Sequence, residues 1–334
     1  MTTNLGQRAA IGLEALDVGS GEPSDACGVC GAAGRRRKLV RRLGNGVGVT
    51  RCAACTVTAL RPLPSAEELQ RHYSAYYLTR ANDAGRHDHL VDLHKGVFDY
   101  LLQHVRSTPP HAFLDYGFGS GAFLRYAARQ GHPATGVDVS PQNVRQLRDA
   151  ARRDGVVIGL IDLSANSLDD LRPQRFDIVT LFQVVEHLEC PLRLISQLSR
   201  LQDPGGLVYL ECPNDSAAWA HAKNPLHRAV RSTAWSSLKY PEHLHGFNRR
   251  SIAALLLAGG YDLVDCGDYA YRDGLHQVES EFWWPRFGSQ SSSRTMSGLV
   301  RSVIPLFDGM MSACFGAGSG LYALARKRQM AGPA

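Results

Sequence analysis

The hydrophobic and polar positions follow one pattern from about residue 112 to near the end of the chain. Short apolar runs alternate with stretches of helical spacing, which is typical of parallel strands joined by crossover helices. The expected strands are Ala112–Gly117, Ala134–Val139, Val156–Ile161, Phe176–Phe182, Leu207–Cys212, Tyr261–Cys266 and Leu321–Arg326. The expected helices are Ala122–Gln130, Pro141–Asp154, Leu192–Leu201 and Arg249–Ala258. The pattern predicts an α/β fold with a doubly wound, mostly parallel sheet of seven strands.

A helical region is expected ahead of this sheet. Pro62 and Pro64 mark a linker, and Ser65-Ala66-Glu67-Glu68 follows as a capping signal for a short helix. A second helix is predicted over 88–105, where apolar residues repeat at helical spacing. Residues 63–111 are therefore expected to form a helical linker.

Four of the eight cysteines form two pairs before that linker. Cys27-Gly-Val-Cys30 and Cys52-Ala-Ala-Cys55 are CxxC knuckles separated by 21 residues, close to the spacing of a ribbon-type zinc site. Each knuckle can offer two thiolates to one tetrahedral ion, and the residues between them have the pattern of a hairpin. We expect a small zinc ribbon over 26–62, with Cys27, Cys30, Cys52 and Cys55 as ligands. A redox role for the knuckles is the alternative.

The N-terminal residues 1–25 are rich in Gly, Ser and Thr and are expected to form a loose leader. They lack the basic start and the continuous apolar core of a cleavable signal, and no segment of the chain reaches transmembrane length. We therefore expect a cytoplasmic protein, in which cysteines serve as thiols or metal ligands rather than as disulfides.

The formal net charge of +6 over 334 residues is modest. Much of the excess lies in Arg35-Arg36-Arg37-Lys38, with Arg41 and Arg42 close behind. Such a run is usually a solvated face, although it can also bind a phosphate-bearing partner. Nothing in this balance predicts DNA as a partner.

A glycine-rich turn follows the first strand of the predicted sheet. Residues 113–123 read FLDYGFGSGAF, and residues without Cβ let a ligand approach bare backbone at the start of a helix. The second strand ends in Asp138, and a carboxylate at that position can accept both hydroxyls of a ribose. A dinucleotide site needs GxGxxG and a surrounding that tolerates a pyrophosphate. The GxGxG spacing and the preceding acid, Asp115, disfavour that class.

Together, DYGFGSG and GVDVS resemble the S-adenosylmethionine site of the class I methyltransferases. In that family the glycine loop lies against the methionine part and the ribose of the cofactor, and the fold is a Rossmann-like sheet of seven strands. The resemblance implies that a helix over 88–105 covers the cofactor. The implied cofactor-binding residues are Asp115, Gly117, Gly119, Gly121, Asp138, Val139, Asp162 and Gln183.

The end of the fourth strand carries a second part of the resemblance. Phe176-Asp177-Ile178-Val179 and Glu186-His187-Leu188 resemble the fourth-strand signature of small-molecule methyltransferases. In those enzymes the residue at position 183 lies near the methionine moiety, and the histidine follows at the mouth of the site. A histidine there can take a proton from an acceptor hydroxyl. Alternatively, His187 only caps or packs at a helix start.

An insertion over residues 215–246 follows the fifth strand. Its aromatic and histidine residues are Trp219, Trp235, Tyr240, His243 and His245. Such residues beside a cofactor cleft suit a lid that shapes an acceptor pocket. We therefore take His243 and His245, with His187, as candidate catalytic residues. The alternative is that these rings only bury the insertion.

The same residues resemble a metal site of the small-RNA 2′-O-methyltransferases. In that family an acid-x-x-Glu-His segment and a later histidine hold a divalent ion. Glu186, His187 and either His243 or His245 match this pattern. The first acid is replaced by Gln183, a neutral and poorer ligand, and this departure disfavours a catalytic metal.

Over residues 27–326 the chain resembles zinc-ribbon-containing class I methyltransferases of bacterial pathways for sugars, surface glycans and natural products. The resemblance implies O- or C-methylation of a small molecule, for instance a sugar nucleotide whose phosphates meet the basic run. RNA methylation with the basic zinc module as the RNA-binding surface is a second hypothesis. A non-methylating scaffold or a cyclase that retains the cofactor pocket is a third. In each case the methyltransferase-like domain is expected over 112–328.

The stretch Gly298–Phe315 is amphipathic and contains two adjacent methionines. Such a segment is more often a packing or dimer helix than a membrane contact, although a lipid-linked acceptor would make an interfacial helix useful. The sequence therefore gives a homodimer as one candidate assembly.

Overall fold

The structure is a computed structural model, and it describes residues 26–33, 37–43, 46–65, 67–69, 71–73, 91, 94–216, 234–235, 237–269 and 320–329. The predicted leader and the stretch 298–315, with its dimer hypothesis, lie outside the described residues. So do Trp219 and the first part of the basic run. Within the described ranges, no helix has both the length and the apolar character that crossing a bilayer requires.

The N-terminal module contains three strands, β1 (Arg37–Arg42), β2 (Gly48–Cys52) and β3 (Thr58–Arg61). Both neighbouring pairs are antiparallel. The predicted hairpin between the two CxxC knuckles is therefore confirmed, with β1 and β2 as its arms.

The helical segment begins with the predicted cap. The Ser65 amide donates to Glu68 Oε2 at 2.8 Å, and the Glu68 amide donates to Ser65 Oγ at 3.2 Å. Residues 67–69 and 71–73 are helical. The next helix, α1, spans Lys95–His104 and buries Phe98 and Leu101, so within the described residues it is shorter than the predicted 88–105.

The main domain alternates strands and helices. In chain order these are β4 (Phe113–Tyr116), α2 (Ala122–Arg129), β5 (Ala134–Asp138), α3 (Pro141–Asp154), β6 (Ile158–Asp162), β7 (Ile178–Phe182), α4 (Pro191–Ser199), β8 (Leu207–Pro213), β9 (Ala234–Trp235), β10 (Leu238–Lys239), β11 (His245–Gly246), α5 (Arg249–Ala258), β12 (Tyr261–Tyr269) and β13 (Gly320–Lys327). Seven strands form one sheet in the order β12-β13-β8-β7-β4-β5-β6. Its central pairs are parallel, and β13 runs antiparallel to both of its neighbours. The predicted fold class is confirmed.

The two faces of the sheet bury different side chains of the same strands. Phe113 packs with Phe98 of α1, their ring centroids 5.5 Å apart. Leu114 belongs to the cluster that includes Leu194 of α4 and Leu255 of α5. Because successive side chains of a strand point to opposite faces, this alternation places helices on both sides of the sheet.

Helix α3 illustrates how the local sequence ends one element and starts the next. Ser140 follows β5 and caps the helix by accepting a hydrogen bond from the Asn143 amide at 3.3 Å, and proline occupies the first turn. The helix ends at Gly155, whose φ of 68° is left-handed, a conformation that glycine adopts without steric cost. These signals hold the start of α3 directly behind Asp138.

The N-terminal module shares its sheet and its core with the main domain. Strand β11 pairs antiparallel with β3, with His245 opposite Ala59 and Gly246 opposite Thr58. The buried side chains of Cys27 and its fellow ligand candidates belong to the same hydrophobic cluster as the main sheet. Part of the predicted 215–246 insertion is thus the fourth strand of the N-terminal sheet. A two-residue strand has no sequence periodicity that could have revealed it.

Candidate cofactor and acceptor site

The glycine turn after β4 has three left-handed residues, with φ values of 72° at Gly117, 54° at Gly119 and 69° at Gly121. A Cβ on Gly117 would lie 2.7 Å from Val184 Cγ2, and one on Gly121 would lie 2.4 Å from Leu147 Cδ1. A Cβ on Gly119 would meet nothing within 4 Å. The outer glycines therefore let the turn pack closely, while Gly119 leaves its backbone open to a ligand.

The tight contact at Gly121 predicts a large loss of stability on Gly121→Ala. The substitution adds left-handed strain of about 1–2 kcal/mol and overpacking of about 1–3 kcal/mol. Gly131 is the matched control, because its φ is 82° and its Cβ would meet nothing within 4 Å. Urea unfolding should show a clearly larger loss for Gly121→Ala than for Gly131→Ala. Equal losses would contradict the packing argument.

Asp138 joins the second strand to this turn. Its carboxylate accepts hydrogen bonds from the Gly119 amide at 3.1 Å, the Ser140 amide at 2.8 Å and Asn143 Nδ2 at 3.2 Å. A carboxylate has about four acceptor positions, so these donors fix its orientation and leave capacity for a ligand hydroxyl. Burial raises the pKa of Asp138 to about 6.

The other predicted acidic residues lie at the same edge of the sheet. Asp115 is buried behind the turn, where Thr180 Oγ1 donates to its carboxylate at 2.8 Å, and burial raises its pKa to about 8. Asp162 is opposite Asp138 in the register of β5 and β6. Val139 packs against the main hydrophobic cluster. The structure thus brings the predicted cofactor-binding acids together at the carboxyl ends of parallel strands, where ligands of such sheets bind.

Gln183 follows β7 and has a φ of 54°, which is uncommon for a residue other than glycine. Its backbone N–H donates to the Glu211 carbonyl oxygen at 2.9 Å, and its side-chain Nε2 donates to Tyr269 Oη at 3.2 Å. Tyr269 Oη in turn donates to Glu211 Oε2 at 3.3 Å. The sequence analysis missed Glu211 and Tyr269, because nothing in an apolar strand or in a distant loop end relates them to Gln183.

Two of the three candidate catalytic histidines lie together. The ring centroids of His187 and His243 are 4.7 Å apart at an angle of 83°. His187 Nδ1 lies 3.0 Å from the Glu242 carbonyl oxygen, and His243 Nδ1 lies 2.9 Å from the Ser237 carbonyl oxygen. Burial lowers the pKa of both, that of His243 to about 3. Both rings are therefore neutral near pH 7, with Nδ1 as the donor and Nε2 as the acceptor.

The third histidine, His245, is buried in β11 opposite Ala59.

Ligand atoms of Glu186, His187 and His243 lie within 4.8 Å of one another, and their types suit a divalent cation. Gln183 stands where the metal site of the small-RNA methyltransferases has its first acid. Its side-chain amide donates a hydrogen bond to Tyr269.

The four knuckle cysteines converge as predicted. Their sulfur atoms all lie within 4.8 Å of one another, with Sγ to Sγ distances of 3.9 Å for Cys27 with Cys55 and for Cys30 with Cys52. A tetrahedral zinc with Zn–S bonds of about 2.3 Å requires sulfur separations of about 3.8 Å. The hydrogen bond from Cys55 lowers the pKa of Cys27 to about 4, which favours the thiolate that binds metal. The donor set therefore fits zinc.

The N-terminal module also contacts the helices that follow the histidines in the chain. The Leu192 amide at the start of α4 donates to the Gly28 carbonyl oxygen at 2.9 Å. Arg250 at the start of α5 donates to the Ala54 carbonyl oxygen at 2.9 Å. Each CxxC knuckle thus supports the start of one helix beside the site.

More than half of the chain matches a known protein family. Residues 91–265, slightly more than half of the 334, match the protein family described as "Methyltransferase domain". The chain belongs to this family, which confirms the predicted class of enzyme.

Curated relatives resemble part of the chain. A ubiquinone biosynthesis O-methyltransferase of Serratia proteamaculans is 30% identical over 125 residues, which cover 37% of this chain and 52% of that protein. Its counterpart from Methylococcus capsulatus is 31% identical over 116 residues, covering 35% of this chain and 49% of that protein. The chain thus spans about half the length of these relatives. A solved SAM dependent methyltransferase from Archaeoglobus fulgidus is 15% identical, with a TM-score of 0.46, over 75% of this chain and 99% of that one.

Proposed function

We propose that this protein is an S-adenosylmethionine-dependent methyltransferase that acts on a small molecule. The observation that carries the proposal is the unit formed by the open Gly119 backbone and the Asp138 carboxylate. In a chain of the methyltransferase family, that unit suits a cofactor with a ribose. The names of the curated relatives favour O-methylation of a hydroxyl, with a sugar, sugar nucleotide or natural-product intermediate as the acceptor class, and C-methylation as the other chemistry.

When bound, S-adenosylmethionine supplies a methyl group that its positively charged sulfur has already activated. The protein mainly has to align the acceptor with that group, because alignment contributes most when the reagent is reactive. Asp138 would accept a ribose hydroxyl at its remaining acceptor position and so orient the cofactor at the sheet edge. His187 Nε2, whose ring is neutral and held through Nδ1, accepts the proton of the acceptor hydroxyl, with His243 packed against it.

We also propose that Cys27, Cys30, Cys52 and Cys55 hold a structural zinc ion. Their sulfur separations and the burial of Cys27, Cys52 and Cys55 support this. The ion would fix the ribbon against α4 and α5 and take no part in methyl transfer.

The test is transfer of an isotope-labelled methyl group from S-adenosylmethionine to separate pools of catechols, sugars and sugar nucleotides, with total RNA as a parallel arm. We expect label in a small-molecule pool. Label in RNA alone would favour the RNA hypothesis, for which the exposed Lys38 and Arg42 on β1 are the relevant surface. Cofactor binding without transfer to any pool would favour the non-methylating scaffold or cyclase.

A histidine variant tests the proposed base. His187→Gln should lower turnover roughly 10²–10⁴-fold, the usual contribution of general base catalysis, while the dissociation constant of S-adenosylmethionine stays the same. His104→Gln is the matched control, because His104 also directs Nδ1 at a backbone carbonyl, that of Tyr100 at 2.9 Å, but lies on α1. Equal turnover of the two variants would rule out His187 as the base.

A further inference from the structure

A buried carboxyl group lies beside the cofactor site and has no role in the mechanism above. Glu211 is in β8 opposite Phe182 of β7 and is 3% exposed. Tyr209 Oη donates to its Oε1 at 2.6 Å, and Tyr269 Oη donates to its Oε2 at 3.3 Å. A buried carboxylate is costly unless it is well hydrogen-bonded, and two of its hydrogen bonds here come from phenols.

The route from Glu211 to the cofactor site passes through Gln183. The side-chain Nε2 of Gln183 donates to Tyr269 Oη, and its backbone N–H donates to the Glu211 carbonyl oxygen. The next residue, Val184, is the one that a Cβ on Gly117 would strike at 2.7 Å. Gln183 therefore stands between Glu211 and the glycine turn, at the position expected to lie near the methionine moiety.

The ring of Tyr269 packs against a position on the neighbouring strand that has no side chain. Gly320 is its partner in the register of β12 and β13, and a Cβ on Gly320 would lie 2.2 Å from the Tyr269 ring. The ring therefore lies on bare backbone, which fixes its hydroxyl between Gln183 and Glu211. Left-handed backbone at a residue other than glycine, as at Gln183, is also a feature that clusters at functional sites.

We propose that Glu211, acting through Tyr269 and Gln183, makes the cofactor site prefer the positively charged methyl donor over its neutral thioether product. This inference rests on the proposed function. Donor and product share the ribose, the adenine and the amino acid part, and differ by a methyl group and the charge at sulfur. A buried carboxylate attracts the donor alone through that charge, so the preference helps product leave and donor enter.

The surroundings of Glu211 suit this role. Two of its hydrogen-bond partners are neutral phenols, and the tyrosines behind Tyr209 are Tyr100 of α1 and Tyr322 of β13. Burial raises the pKa of Glu211 to about 7, so an incoming cation can draw it into the ionised form by releasing its proton.

The same face of the sheet offers a matched control. Asp265 of β12 also accepts from two phenols, Tyr100 at 2.7 Å and Tyr322 at 3.0 Å. Asp265 pairs with Leu324 in the ladder of β12 and β13, several residues away from the Tyr269–Gly320 pair at the end of that ladder. Asp265→Asn therefore removes a phenol-held carboxylate without touching Gln183.

The experiment is calorimetric titration of the full chain with S-adenosylmethionine and, separately, with S-adenosylhomocysteine. Glu211→Gln should weaken donor binding roughly 10-fold, the order expected for one screened charge interaction, and leave product binding unchanged. Tyr269→Phe should act in the same direction, and it keeps the test available if Glu211→Gln does not fold. Asp265→Asn should leave the ratio of the two affinities at the wild-type value.

A second measurement needs no variant. Titrations of the wild-type protein at pH 7 in two buffers of different ionisation enthalpy report the protons released on binding. We expect greater release with the donor than with the product, because only the donor carries the charge that draws a proton from Glu211, whereas the ribose assigned to Asp138 is common to both. Equal proton release with donor and product would overturn the inference. So would an affinity ratio that does not change in Glu211→Gln, or one that changes as much in Asp265→Asn as in Glu211→Gln. In each of these cases the proposed function stands. A wild-type protein that binds neither compound would overturn the proposed function itself.

Discussion

Asp138→Ala should weaken the binding of S-adenosylmethionine roughly 10- to 100-fold. One hydrogen bond from a ribose hydroxyl to the remaining acceptor position of this carboxylate contributes about 1.5–3 kcal/mol, and 1.4 kcal/mol corresponds to a factor of ten. The substitution also removes the acceptor that holds the Gly119 amide, so the turn loses one of its links to β5. Isothermal titration calorimetry measures the effect directly.

The control for this result is Asp149→Ala. Asp149 also belongs to α3, but its side chain is 62% exposed, so removing its carboxylate should leave the affinity unchanged. If Asp138→Ala binds the cofactor as well as the wild-type protein does, the ribose assignment is wrong.

The pH dependence of the same titration has a defined sign. The ribose hydroxyls need an ionised acceptor, and burial raises the pKa of Asp138 to about 6. As the pH falls through about 6, the carboxyl group takes up a proton and the affinity for the cofactor should fall. An ordinary exposed aspartate would keep its charge to about pH 4. An affinity that stays constant from pH 7 to pH 5 would contradict this assignment.

Loss of the metal from the ribbon should unfold more than the ribbon. Structural zinc contributes about 10–16 kcal/mol to the folding of small zinc modules, and Cys27, Cys52 and Cys55 belong to the core cluster of the main sheet. Cys55→Ser should therefore lower the melting temperature of the whole chain and abolish stoichiometric zinc. Metal analysis by mass spectrometry and calorimetric melting measure the two effects.

Cys190→Ser is the matched control for that experiment. Its sulfur lies 3.7 Å from the Gly28 carbonyl oxygen, beside the first knuckle but outside the four-sulfur group. This variant should keep its zinc and nearly all of its stability. A wild-type protein that contains no zinc and melts as Cys55→Ser does would show that the four thiols have another use.

The main sheet and the cofactor turn could be predicted because their signals are local. The apolar runs, the glycines at 117, 119 and 121, and the acid at Asp138 are each visible within a few neighbouring residues. The CxxC knuckles are local as well, and their convergence follows from the hairpin between them.

The acceptor side was less predictable because its contacts join distant parts of the chain. Tyr269 and Glu211 are 58 residues apart, and neither belongs to a pattern that marks it. The approach of His187 to His243 depends on the path of the insertion, which no periodicity describes. His245 has its place through strand pairing with the ribbon, a contact that the sequence does not indicate.

The pairing of β3 with β11 also constrains the order in which the protein can form. Thr58 Oγ1 donates to the Gly246 carbonyl oxygen across 188 residues of chain. During synthesis from the N-terminus, the outermost strand of the small sheet emerges only after most of the large sheet has left the ribosome. Contacts of such sequence separation form late, so the N-terminal module stays incomplete until β11 has been synthesised.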